Sequence, residues 1–259
     1  MTKTQPVTRL LLNCDMGESD AARSVAMDEK VIPLIDMANI ACGFHAGDPL
    51  TMSRTVSYAR QAGRQIGAHP SYPDLAGFGR RTMECEPAEL IAKLHYQIGA
   101  LQGICQAQGV SISYVKPHGA LYNDMMRDQQ ILRSVLEAVS SYDAGLPLMV
   151  LARTDNQLVK ETADEFNVRL LFEAFADRAY ADDGQLLSRQ HPGAVFEAPQ
   201  QIIQQALQLA RSGEITAISG RRLKLNADTL CIHGDNPASV QTLSQLRQAL
   251  DDFYDRAGS

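Results

Sequence analysis

Four of the six histidines in this 259-residue chain close short apolar runs. They are His45 in A-N-I-A-C-G-F-H-A-G-D-P (38–49), His69 in Q-I-G-A-H (65–69), His118 in Y-V-K-P-H (114–118) and His233 in T-L-C-I-H (229–233). Polar residues keep them company at the ends of such runs: Asn13 and Asp15, Asp48, Lys116, Glu173 with Asp177 and Arg178, and Asp235. Neutral imidazoles with a carboxylate can hold a divalent metal, which activates water. The same groups can act as general acid and base without a metal. No H-E-x-x-H or H-x-x-x-H spacing occurs, so a metal site would be assembled from separate strands. Lys116 and Arg178 could bind a substrate carboxylate or steady an oxyanion, or each could pair with a neighbouring aspartate. Arg80-Arg81 offers an anion clamp or an ordinary exposed pair. His95 falls in a helix and His191 in a polar stretch. Cys14, Cys42 and Cys231 are embedded in apolar runs and read as core rather than as nucleophiles.

Strands are expected to carry these groups, because each run is short and apolar. Arg9–Asp15, the stretch ending at His45, Gln65–His69, Tyr114–His118, Pro147–Ala152, Val168–Ala176 and Thr229–His233 make seven. Helices are expected between them: Asp28–Ile35 bent by Pro33, Leu50–Ala62 stopped by Gly63, Pro87 to about Gln108, Asp124–Val139, Asp155–Phe166 capped by Asp155, Pro199–Arg211 and Pro237–Phe253. Residues 70–81 hold two prolines and two glycines and read as an ordered loop of functional length. Residues 179–198 read as a polar excursion, and 214–226 as a small β-ribbon around Gly220. Alternating strands and helices imply parallel pairing through right-handed crossovers. No linker divides the chain, so one domain over 1–259 is expected. A closed barrel and an open doubly wound sheet both fit the pattern. In a barrel, every strand end opens on one face.

Composition excludes several classes. The net charge is −6, with 24 Lys plus Arg against 30 Asp plus Glu, which argues against a nucleic-acid surface. No apolar run approaches a membrane span, and the first residues lack the apolar stretch of a signal peptide. Five cysteines without C-x-x-C spacing suit reduced thiols in the cytoplasm. No G-x-x-x-x-G-K-[ST] phosphate loop, G-x-G-x-x-G or G-x-S-x-G elbow is present.

Six motifs in order, N-C-D-M-G-E (13–18), A-N-I-A-C-G-F-H-A-G-D (38–48), I-G-A-H-P-S-Y-P-D (66–74), V-K-P-H-G-A-L-Y-N (115–123), F-A-D-R (175–178) and C-I-H-G-D (231–235), together resemble the LamB/YcsF family. Cys14, Met16 and Ala179 depart from the family's usual residues. The resemblance implies a seven-stranded parallel (β/α) barrel, TIM-like and of the glycoside hydrolase/deacetylase type. It implies an ATP-dependent 5-oxoprolinase activity, opening the lactam of 5-oxo-L-proline to L-glutamate, with ATP as co-substrate and two further subunits as partners. The residues expected to act are Asp15, His45, His69, Lys116, His118, Asp177, Arg178, His233 and Asp235. A metal-dependent, deacetylase-like hydrolase acting alone and a lactam-binding subunit without chemistry are the alternatives.

Overall fold

The computed structural model describes residues 9–18, 25–233 and 237–257. Seven parallel strands close into a barrel: β1 (Leu11–Met16), β2 (Met37–Ala41), β3 (Gln65–His69), β4 (Tyr114–Val115), β5 (Leu148–Leu151), β6 (Leu170–Phe175) and β9 (Thr229–Cys231), with β9 pairing back to β1. An antiparallel ribbon, β7 (Glu214–Thr216) with β8 (Arg222–Lys224), stands apart from the barrel. Helices α1 (Val25–Val31), α2 (Pro49–Gln61), α3 (Pro87–Ala107), α4 (Gly119–Met125), α5 (Gln129–Tyr142), α6 (Gln157–Glu165), α7 (Pro199–Ser212) and α8 (Pro237–Ala257) fill the connections. On α3 the expected stripe of Leu90, Leu94, Ile98, Leu101 and Cys105 is buried. No described helix is long and apolar enough to cross a membrane.

The period-2 alternation of a strand sorts its side chains into two sets. Leu12, Cys14, Ala38, Ile40, Ile66 and Ala68 belong to the layer between strands and helices. Met37, Tyr114 and Met149, with Leu11 and Leu171, form a second cluster inside the barrel. Two residues further along the inward set the chemistry changes: Asn13 follows Leu11, Asn39 follows Met37, Lys116 follows Tyr114 and Glu173 follows Leu171. The plug is therefore apolar at one end and polar at the other. Tyr114 joins the two layers, donating its hydroxyl to Asn39 Oδ1 at 2.7 Å.

Local chemistry moves several expected boundaries. β2 ends at Ala41, four residues before His45, because the chain turns at once, with Gly43 N–H bonded to Ala46 O at 3.0 Å. β4 is two residues long, not five. Pro117 has no N–H to continue the ladder, although Lys116 N and His118 N still bond Ala68 O and Pro70 O, each at 2.8 Å. The helix expected at Asp124–Val139 is two helices, α4 and α5. Asp128 starts the second by accepting from Gln130 N and Ile131 N. The N-cap of α6 is Asn156 rather than Asp155, whose carboxylate accepts from Gln157 N. The bend expected at Pro33 is a 3-10 turn, Ile32–Leu34, after α1.

Inside the barrel, Tyr114 lies flat against Gly67 of β3. A Cβ there would stand 2.1 Å from the Tyr114 ring. Gly67→Ala is expected to destabilise the protein by about 2–3 kcal/mol, read as a fall of roughly 5–10 °C in Tm.

Candidate active site

The polar end of the barrel plug is a network of short contacts. Lys116 donates from Nζ to Asp15 Oδ1 at 2.9 Å and to Asn13 Oδ1 at 3.2 Å. Its ammonium also pairs with Glu173 Oε1 at 2.9 Å. Asn39 Nδ2 donates to both Asn13 Oδ1 and Asp15 Oδ1 at 2.8 Å. Tyr122, from α4, donates its hydroxyl to Glu173 Oε2 at 2.9 Å. Burial alone would strip the charge from Lys116, but Asp15 and Glu173 reverse this and keep it protonated well above its usual range. Burial likewise opposes ionisation of Asp15, while His69 and Lys116 hold it well below the ordinary carboxylate range.

Above this network three imidazoles converge on Glu18. Its Oε1 lies 3.0 Å from His45 Nε2, 3.2 Å from His118 Nδ1 and 3.7 Å from His69 Nε2. The His45 and His118 rings stack at 3.7 Å, and His69 meets both edge-on. Burial and neighbouring His118 push the His45 imidazole down to about 3, so it is neutral. Burial works against the Glu18 carboxylate too, but His118 and His45 hold it ionised, well below its usual range.

The outer hydrogen bonds of two rings fix their tautomers. His69 Nδ1–H donates to Lys116 O at 2.7 Å, and His118 Nε2–H donates to Phe78 O at 3.0 Å. In its neutral form each ring turns a bare nitrogen inward, and those nitrogens, His69 Nε2 and His118 Nδ1, stand 2.9 Å apart. His69 Nε2 also lies 3.3 Å from Asp15 Oδ2. Lone pairs and carboxylate oxygens packed this closely repel unless a proton or a metal cation sits among them. Charge says the same: three carboxylates (Asp15, Glu18, Glu173) face one ammonium (Lys116), leaving two negative charges in excess when the imidazoles are neutral. Glu18, His45, His69 and His118 can each offer a ligand atom, all within 4.8 Å of one another. Backbone carbonyls that orient ligand imidazoles from outside are the usual support of such a centre. The donor set fits a divalent metal.

The loop at 70–86 braces this cluster. Phe78 and Gly79 both have positive φ, 55° and 64°. A Cβ on Gly79 would lie 2.8 Å from His45 Cβ and 2.9 Å from His118 Cδ2, so only glycine lets the backbone pass there. Asp74 stabilises the turn, accepting from Gly77 N at 2.9 Å and pairing with Arg81.

His233 lies on the far side of Asp15. Its Nδ1 is 2.7 Å from Asp177 Oδ2, and Asp15, Cys231 and His233 offer donor atoms within 4.8 Å of one another. Arg189 donates from Nη2 to His233 Nε2 at 3.0 Å. Although burial alone would lower the His233 pKa, Asp177 raises it above the usual value. Above all these groups opens a cavity of about 410 Å³, reached by Asp15, Glu18, His69, Lys116, His118 and His233.

Of the residues singled out from the sequence, Asp15, His45, His69, Lys116, His118, Asp177, Arg178 and His233 are thus brought to one end of the barrel. Asp235 lies outside the described residues. Lys116 pairs with acids. Arg178 does not: it donates to Ala194 O and Leu187 O and ties the excursion after β6 to the barrel. The Arg80-Arg81 pair splits, Arg81 binding Asp74 while Arg80 reaches the cavity over the Phe78 ring. Asp48 caps α2. Sequence reasoning passes over Glu18 as a loop residue, although it closes the motif N-C-D-M-G-E. It also leaves Glu173 and Tyr122 out of the acting set.

The purified chain is expected to bind a divalent ion, measured by elemental analysis. His69→Ala and His118→Ala should lose it. A chelator should lower the Tm of the unaltered protein by several degrees and leave both variants unchanged.

The sequence profile of the LamB/YcsF family matches residues 10–255. A Pseudomonas putida protein named as a 5-oxoprolinase subunit is 58% identical over 245 residues, covering 95% of each chain. A Pseudomonas fluorescens protein, likewise named as a 5-oxoprolinase subunit, is 56% identical over 246 residues, 95% of this chain and 98% of its own. Among solved structures, the lactam utilization protein of Thermus thermophilus superposes with a TM-score of 0.87 at 40% identity, covering 95% of this chain and 97% of that one. By its motifs, its barrel and these matches along nearly its whole length, the chain belongs to the LamB/YcsF family.

Proposed function

We propose that this chain is the barrel subunit of an ATP-dependent 5-oxoprolinase, acting in the cytoplasm with two further subunits to convert 5-oxo-L-proline, ATP and water into L-glutamate, ADP and phosphate. The reading is carried by one observation: a buried acid–imidazole cluster floors a small-molecule cavity in a chain 58% identical to a relative named for that enzyme. A lactam is a stable amide, and its carbonyl carbon must be made electrophilic before water attacks. Phosphorylation of the amide oxygen by ATP accomplishes that.

Glu18, His45, His69 and His118 would hold a divalent ion, which would supply Lewis-acid chemistry at this end of the barrel. The protein's own groups do the rest. Asp15, kept ionised beside Lys116, accepts a proton from the attacking water. Lys116 and Asn39 hold the Asp15 carboxylate in place through its Oδ1, leaving Oδ2 toward the imidazoles. His233, oriented through Nδ1 by Asp177, stands beside Asp15 as a second acid–base group. Phe175, Tyr122, Leu186 and Leu187 give the cavity an apolar wall that limits water.

In the reconstituted complex, Asp15→Ala, His45→Ala and His69→Ala should each cut ATP-dependent glutamate release by at least about 100-fold. Circular dichroism should show an intact fold. Full activity in all three would refute the assignment. Turnover by the isolated chain without ATP would favour a hydrolase acting alone.

A further inference from the structure

The histidine cluster uses Phe78 twice. Its carbonyl accepts from His118 Nε2 at 3.0 Å, and its ring stands edge-on to both His45 and His118, with centroids 5.6 and 5.3 Å away. Phe78 does this at a φ of 55°, a region that bulky side chains rarely adopt, so other contacts must hold it there. Asp74 supplies two that bracket it. The Asp74 main-chain oxygen accepts from Gly79 N at 2.8 Å, and the carboxylate accepts from Gly77 N at 2.9 Å. Arg81 donates to the same carboxylate and holds it ionised, below its usual range. The fit is close, since a Cβ on Gly77 would stand 2.2 Å from Asp74 Oδ2. Asp74 is only 5% exposed, and its carboxylate bonds within the turn rather than to the histidines.

The position of Phe78 O matters because His118 has an acceptor on each side. Phe78 O faces Nε2, and Glu18 Oε1 lies 3.2 Å from Nδ1. A neutral imidazole carries one N–H, so only one of the two can be served. Glu18 is held ionised, and a carboxylate is a stronger acceptor than a carbonyl. With its proton on Nδ1, His118 would bond Glu18 and lose the inward lone pair. With its proton on Nε2, that lone pair is free as a metal ligand. The weaker acceptor competes only if it is fixed in place. A further bond fastens the turn to the ring it serves: Gly79 O accepts from Ala120 N at 2.8 Å, in the first turn of the helix that follows His118. A Cβ on Gly119 would stand 2.4 Å from that oxygen.

We propose that Asp74 is a positioning residue for His118: by closing the 74–81 turn it fixes Phe78 O, and Phe78 O selects the His118 tautomer that leaves Nδ1 free for a divalent ion. The inference rests on the metal-centre reading of the cluster and not on the 5-oxoprolinase reading.

The test uses the full chain with nitrogen-15-labelled histidine, whose two-bond nitrogen–proton couplings report each tautomer. In the chelator-treated, unaltered protein at mildly alkaline pH, His118 is expected to carry its proton on Nε2. Asp74→Ala should move it wholly or partly to Nδ1. The same variant should weaken zinc binding, titrated against a competing chelator, by about 10–100-fold. Asp74→Asn keeps an oxygen to accept from Gly77 N, so it should retain the Nε2–H tautomer and bind zinc within about threefold of the unaltered chain. Gly77→Ala, whose methyl displaces the Asp74 carboxylate, should act as Asp74→Ala does and serves in its place if that variant does not fold. Circular dichroism checks the fold of each. An Nε2–H tautomer and undiminished zinc affinity in both Asp74→Ala and Gly77→Ala, with only Tm lowered, would make Asp74 a purely structural residue and overturn the proposal. An unaltered chain that binds no zinc would refute the metal centre instead, and the tautomer alone would then decide the role of Asp74.

Discussion

The buried ammonium of Lys116 between Asp15 and Glu173 is the contact on which the site depends. It joins β1, the residue just after β4, and β6, segments far apart in the chain, and all three partners are nearly or fully excluded from water. Ions are costly to bury, and removing one member of such a set leaves the others uncompensated, a loss of about 3–5 kcal/mol. The barrel tolerates them because each is hydrogen-bonded again, by Asn13, Asn39 and Tyr122. Carboxylates that would be neutral in an apolar interior are thereby kept charged and fixed in direction, as acid–base chemistry and cation binding both require.

A second layer of order comes from backbone carbonyls. Lys116 O and Phe78 O each take the outer N–H of one imidazole, and this turns the two inner nitrogens toward each other and toward Glu18. The same residue, Lys116, thus acts twice: its side chain holds Asp15 and its carbonyl aims His69. The loop that supplies Phe78 O passes tightly against His45 and His118 at a glycine, Gly79. Histidine geometry here is a property of the backbone path more than of the histidines. The cavity is also reached by Arg127, Arg178 and Arg189; Arg178 bonds two main-chain oxygens, and Arg189 bonds His233.

Much of this is legible in the residues alone. Short apolar runs mark the seven barrel strands, and β3 falls to the residue at Gln65–His69. The polar strand ends mark the chemical face, since parallel strands with helical crossovers bring those ends together. Less legible are Tyr114–His118, where Pro117 cuts the ladder short, and the helix pair α4 and α5, which a continuous apolar stripe disguises as one. Glu18 is easily overlooked because a loop carboxylate looks solvated, and nothing local shows that three rings will close over it. Arg178 reads as a partner of an aspartate or a substrate, whereas its bonds go to two main-chain oxygens of the excursion.

What the chain determined by itself is what short-range physics governs. Short apolar runs, glycine and proline at turns, and polar residues at run ends assign the strands and the end where chemistry can occur. Tertiary structure decided which of those groups meet. Barrel closure and register bring β1, β4 and β6 within ion-pair distance, and they leave His233 with Asp177 rather than with the other three histidines. Tautomers and ionisation follow from burial and from carbonyls contributed by distant segments. Those are sums over the whole folded molecule, and no window of the sequence contains them.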